Sequence, residues 1–136
     1  MERFCDFPCD PAQLSALNLA FVGDTVFDLF VRETLVCEAN RPVHLQHDRA
    51  AARVKAAAQA AAAKTLLPAL TERELEQFRR GRNAHANHKA KNATESDYHY
   101  ATGLETLFGY LYLNGEIDRL RALMRLLDET KGDETT

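Results

Sequence analysis

The chain has 136 residues, 46% of them apolar, which suits one domain with a real core. No apolar run approaches the roughly 20 residues needed to span a membrane. The N-terminal MERFCDFPCDPAQ lacks the basic-then-apolar order of a signal peptide, so a cytoplasmic protein with no membrane contact is expected. The net charge of -3 excludes a uniformly basic binder of polyanions, but it hides segregation. Gln77 to Thr94 carries Arg79, Arg80, Arg82, Lys89 and Lys91 and no acid, and Arg49 to Lys64 carries Arg49, Arg53, Lys55 and Lys64 and no acid. Removing these nine positive charges leaves the rest of the chain at -12. Basic patches on an acidic body point to a local polyanion site, with ordinary solvated helix faces as the alternative.

In chain order, residues 1–9 read as a loosely attached lead-in. Asp10-Pro11-Ala12-Gln13 is a helix start, with Asp10 as cap, Pro11 in the first turn and Gln13 placed for a capping box. The helix predicted from there to about Cys37 is apolar almost all round between Leu14 and Val36, and such a helix belongs in the middle of a fold. Within it, Asp24 shares a stripe with Leu17, Phe21 and Asp28, at steps of four, three and four. A core-facing carboxylate costs several kcal/mol unless paired or bound to a cation. Gly23 beside it costs about 1 kcal/mol in a helix interior. Two local rules broken side by side mark a functional site.

Asn40-Arg41-Pro42 breaks that helix. A second helix is predicted from Val43 to Leu67, through a stretch with ten alanines between Arg49 and Ala63, and Pro68 ends it. Thr71-Glu72-Arg73-Glu74 is a capping box opening a short helix through Phe78. Arg79 to Thr94 has no apolar period and reads as an exposed basic loop. From Ser96 to Leu113 the stripe Tyr98, Ala101, Glu105, Phe108, Tyr112 predicts a helix, again interrupted by one acid, Glu105. Asn114-Gly115 closes it. Ile117, Leu120, Met124 and Leu127 predict a final amphipathic helix, and residues 131–136 are expected to fray. No strand alternation is present, so the fold class is all-α, a single domain with a core of 10–128.

Asp24 and Glu105 each put a carboxylate on an apolar stripe. If their helices pack side by side, the two acids meet. Like charges in a dry site need a counter-charge, and magnesium commonly takes one or two carboxylates with waters and phosphate oxygens. Such an ion polarises a phosphodiester and activates water. The basic stretch just ahead of Glu105 would hold a phosphate backbone, which makes a nuclease site. The alternative is two salt-bridged core acids, for instance Asp24 with Arg32 or Arg53. Asp28 suits either a water shell or a salt bridge. His44, His47, His85 and His88, with Cys5 and Cys9, lack an ordered zinc spacing. His85 and His88 suit phosphate or solvent contact. The three cysteines, Cys37 included, suit reduced thiols.

Phe21-Val22-Gly23-Asp24, followed by Thr25-Val26, resembles the N-E-R-L-E-F-L-G-D helix signature of the ribonuclease III family. Thr102-Gly103-Leu104-Glu105-Thr106-Leu107-Phe108-Gly109 resembles that family's D-x-x-E-A-L-I-G motif. Arg80-Gly81-Arg82-Asn83-Ala84 and Tyr100-Ala101-Thr102-Gly103-Leu104-Glu105 resemble the mini-ribonuclease III group, which lacks a separate double-stranded RNA-binding domain. The resemblance covers roughly Asp10 to Asp128. It implies an all-α endonuclease domain working as a homodimeric helical bundle, with Asp24 and Glu105 as catalytic metal ligands for Mg2+. It implies hydrolysis of double-stranded RNA, each subunit cutting one strand, and maturation of the large-subunit (23S) ribosomal RNA precursor with a ribosomal protein as a candidate helper. Part of the dimer seam would come from Phe21 to Val31. Arg79, Arg80, Arg82, Asn83, Lys89 and Lys91 are the expected RNA contacts, with Arg53 and Lys55 as further candidates. The chain departs from the larger enzymes at Leu17, Ala20 and Thr102, which stand where those carry acids that serve a second ion. The rival reading is a helical RNA-binding module that kept the fold without catalysis.

Overall fold

A computed structural model describes residues 3–84 and 94–134, with side chains through residue 129. Six α-helices are present among the described residues: α1 (Ala16–Glu38), α2 (Val43–Val54), α3 (Ala56–Leu66), α4 (Glu72–Arg82), α5 (Glu95–Leu113) and α6 (Ile117–Glu134). No strand occurs among them, and no described helix is long and apolar enough to cross a membrane.

The helix ends follow local chemistry. Asp10 caps a short 3-10 turn, Pro11–Gln13, by accepting the Ala12 N–H. The chain then extends through Leu14, and α1 starts later than predicted, with Ser15 accepting the Asn18 N–H at 3.1 Å. The Arg41 guanidinium donates to the Leu35 carbonyl and so serves the end of α1. The capping box of α4 forms as predicted, with Thr71 and Glu74 bonded reciprocally. Glu74 is also buried against Arg119, whose guanidinium donates to both carboxylate oxygens at 2.8 and 2.9 Å, tying α4 to α6. At Gly115, φ is 75°, and the Gly115 and Glu116 N–H groups donate back to Tyr112 and Leu111, closing α5 in a Schellman turn.

Three expectations are corrected. The Val43–Leu67 helix is two helices, because Lys55 adopts extended backbone with ψ 156° and turns the chain between α2 and α3. The basic run from Arg79 to Arg82 is the last turn of α4, not loop. And α5, not α1, is the central element: ten of its 19 residues are buried, against six of 23 for α1. Helices α1, α3, α4 and α6 all pack on α5. Helix α1 instead leaves Phe21 79% and Leu29 51% exposed. The ends also differ from expectation. The Phe4 N–H donates to the Tyr112 hydroxyl, fastening the lead-in to α5, and α6 runs on to Glu134.

The packing of α1 on α5 is backbone against backbone. A Cβ at Gly23 would lie 1.6 Å from the Glu105 carbonyl oxygen, and one at Gly109 would lie 1.9 Å from the Leu19 carbonyl oxygen. Glycine stands at both positions because helix backbones touch there. Around the crossing, Phe27 meets Phe108 with ring centroids 5.8 Å apart, and Thr106 donates to the Ala16 and Thr102 carbonyls. Gly109→Ala should therefore cost about 3 kcal/mol through forced separation of the helices. Gly115→Ala, in open space at positive φ, should cost only about 1 kcal/mol. Urea unfolding of the two variants checks this order.

Candidate active site

Gly23 seats α1 on the backbone of Glu105, and Asp24 is the next residue along α1. The two carboxyl groups are consequently neighbours, close enough for the Asp24 charge to raise the proton affinity of Glu105. Asp24 is solvent-exposed, whereas Glu105 is half-buried. Asp24 thus lies at the rim of the α1–α5 crossing rather than inside the core, and Glu105 forms its inner wall. Neither Arg32 nor Arg53 neutralises the pair. Arg32 is bonded to Asp28 at 3.1 and 3.2 Å, and Arg53 lies over the Phe30 ring and 3.7 Å from Asp128.

A third side chain completes the site. Gln59 of α3 is buried, and its amide lies beside the Glu105 carboxyl, whose charged form it favours. Nothing in the periodicity singled it out. Its one signal was being the only polar residue among the alanines from Ala56 to Ala63.

Burial pushes the Glu105 carboxyl up to about 8, with the Asp24 negative charge and a hydrogen bond to Asp24 adding to the rise and the Gln59 amide opposing it. The pair thus carries a proton between its members at neutral pH when no cation is bound. Two facing carboxylates, one open to solvent and one held from behind by a neutral amide, fit a hard divalent cation that keeps waters and takes phosphate oxygens as its other ligands. Among the described residues no three His, Cys, Asp or Glu side chains gather into a metal cage.

The residues that stand where larger enzymes carry acids have other surroundings. Ala20 is buried, Leu17 is exposed, and the Thr102 hydroxyl is turned to the Tyr98 carbonyl at 2.9 Å. Of the expected RNA contacts, Arg79 and Asn83 are exposed at the end of α4, and Arg82 bonds Asn83 at 3.2 Å. Arg80 is occupied differently: it donates to the Leu14 carbonyl and to Gln77, each at 2.7 Å, and anchors α4 to the segment before α1. Lys55 is exposed at the α2–α3 break, and Cys5, Cys9 and Cys37 are free thiols. His85, His88, Lys89 and Lys91 lie outside the described residues.

The family model described as Ribonuclease III domain matches residues 17–116. The chain is 44% identical over 113 residues to a Mini-ribonuclease 3 of Thermoanaerobacter sp., covering 83% of this chain and 80% of the relative. It is 45% identical over 117 residues to a Mini-ribonuclease 3 of Synechocystis sp., covering 85% and 80%. The Clostridium tetani Mini-ribonuclease 3 is 41% identical over 120 residues, covering 87% and 79%. A crystal structure of a Fusobacterium nucleatum protein shares the fold, with a TM-score of 0.80 at 22% identity over 91% of this chain and 99% of that one.

The raised Glu105 group has a consequence for stability. An acid with an elevated folded pKa binds more protons folded than unfolded between its ordinary 4.5 and about 8. Metal-free stability should therefore fall as pH climbs through that window. In Glu105→Gln this part of the decline should vanish, so wild type loses ground to the variant from about pH 5 to about pH 8. Urea midpoints measured in chelator check it; parallel pH profiles would contradict the arrangement.

Proposed function

This chain belongs to the ribonuclease III family and is an endoribonuclease of that type, and we propose that it cuts double-stranded RNA with magnesium held between Asp24 and Glu105. The observation that carries the reading is that the two carboxyl groups are neighbours at the α1–α5 glycine crossing, with no described cationic side chain paired to either. A divalent ion there supplies charge neutralisation of the phosphate and a more acidic water. Asp24, at the exposed rim, faces incoming phosphate. Glu105, half-buried and backed by Gln59, would hold the ion in its deprotonated form from the inner side of the site.

Duplex RNA is bound by shape and phosphate contacts. Arg79, Arg82 and Asn83, at the end of α4, supply charge and hydrogen bonds to the backbone, joined by Lys89 and Lys91. Arg80 contributes by holding α4 against the Leu14 carbonyl. A natural substrate is the 23S ribosomal RNA precursor, with a ribosomal protein as helper.

The working unit is a homodimer. Monomeric proteins seldom leave wide apolar patches exposed, yet α1 presents Leu17, Phe21, Leu29 and Val36 to solvent. Phe21 and Leu29 line a groove that continues over Val22, Val26, Tyr112 and Met124. A second copy of α1 suits this face, and two sites on one dimer would cut both strands.

Cleavage of duplex RNA, with and without magnesium, tests the proposal. Wild type should cut only with the ion, on a generic duplex and on the ribosomal precursor. Asp24→Asn and Glu105→Gln should each lower cutting to background while binding the duplex as wild type does. Wild-type cleavage by either variant overturns the site, and tight binding with no cleavage by wild type favours a non-catalytic RNA-binding module. Sedimentation should show Phe21→Asp as a monomer where wild type is a dimer; a variant that remains dimeric removes this face from the interface.

A further inference from the structure

Gln59 is a polar side chain where the fold offers every reason for an apolar one. It is 3% exposed, on the face of α3 that also buries Ala60, Ala63 and Leu66 against α5. The other residues between Ala56 and Ala63 are alanines. Burying an amide in such surroundings costs free energy unless its groups are hydrogen-bonded. The Glu105 carboxyl on α5 lies beside this amide, which favours its charged form, so the two groups face each other where α3 packs on α5.

We infer that Gln59 is the positioning residue that sets the cation affinity of the Asp24–Glu105 pair. This rests on the reading of those two acids as the metal site. The residue type fits the task. A neutral amide can donate to one carboxylate oxygen and leave the other available to a cation. Being neutral, it keeps the site's full negative charge for a divalent ion. A lysine at this position would itself neutralise Glu105 and compete with the cation, and a glutamate would add a third repelling charge. Groups that orient a metal ligand from behind lower affinity when removed, because the ligand then samples unproductive rotamers.

The test uses Gln59→Leu, which keeps the volume and deletes the donor, read by two measurements. The first is direct binding of Mn2+ to the RNA-free protein, followed by electron paramagnetic resonance. The second is the magnesium concentration giving half-maximal cleavage of duplex RNA. Both should shift about tenfold toward weaker binding, with the rate at saturating magnesium largely restored. A folded variant with unchanged Mn2+ affinity and an unchanged magnesium midpoint overturns the proposal. Gln59→Met, of matching length, replaces the leucine variant if that one fails to unfold cooperatively; failure of both makes Gln59 a folding residue and also overturns it. Asp24→Asn in the same Mn2+ titration separates the two levels of the argument. If Asp24→Asn binds Mn2+ as wild type does, the metal site itself is misplaced. If Asp24→Asn loses Mn2+ and Gln59→Leu does not, only the role of Gln59 falls.

Discussion

Everything in this molecule follows from two helices whose backbones touch. At the crossing of α1 and α5 the carbonyl of Glu105 occupies the space a side chain at Gly23 would need, and the carbonyl of Leu19 does the same at Gly109. Contact this close fixes the rotation of each helix about its axis, since sliding either one drives a carbonyl into a Cα. Rotation in turn fixes where the next side chains point. Asp24 follows Gly23, so its carboxyl is delivered to Glu105 by the same contact that holds the core together. The glycine that looks like a defect in α1 is the joint on which the site is mounted.

The same joint explains the electrostatics. Glu105 is carried partly inward by α5, where burial and its neighbour raise its proton affinity, while Asp24 stays at the edge in contact with water. Cationic side chains nearby are spent elsewhere: Arg32 on Asp28, Arg53 on Phe30 and Asp128, Arg80 on the Leu14 carbonyl. The pair is backed by a neutral amide from α3 and, among the described residues, has no cationic side chain to balance its negative charge. That imbalance is a cost to the metal-free fold, and it matches a site whose counter-charge comes from outside the chain.

Helix α1 does two jobs with its apolar surface. One flank, with Leu19, Phe27 and Val31, is buried on α5; the other, with Phe21 and Leu29, is left open. An apolar pattern running all round a helix says that every face wants cover. It does not say that the cover comes from the same chain. The open flank is the face for which a second copy is proposed as cover.

Glu105 was legible in the sequence because it interrupts an apolar stripe that α5 buries, and Asp24 because it follows a glycine inside an apolar helix, although the stripe it shares with Leu17 and Phe21 proves exposed. Both signals are local. The capping box at Thr71 and Glu74, the Gly115 turn and the all-α class were legible for the same reason: each is decided within a few residues. The central position of α5, the break at Lys55, the helical state of Arg79 to Arg82 and the engagement of Arg80 with Leu14 were not, because each depends on partners remote in the chain. Gln59 shows the limit most clearly. An amide among alanines carries no periodic signal, and only the packing of α3 on α5 brings it to Glu105. The chain alone determined which side chains are chemically anomalous; the tertiary structure decided which of them meet, because meeting is a matter of helix rotation and close backbone approach, and neither is encoded in any short stretch.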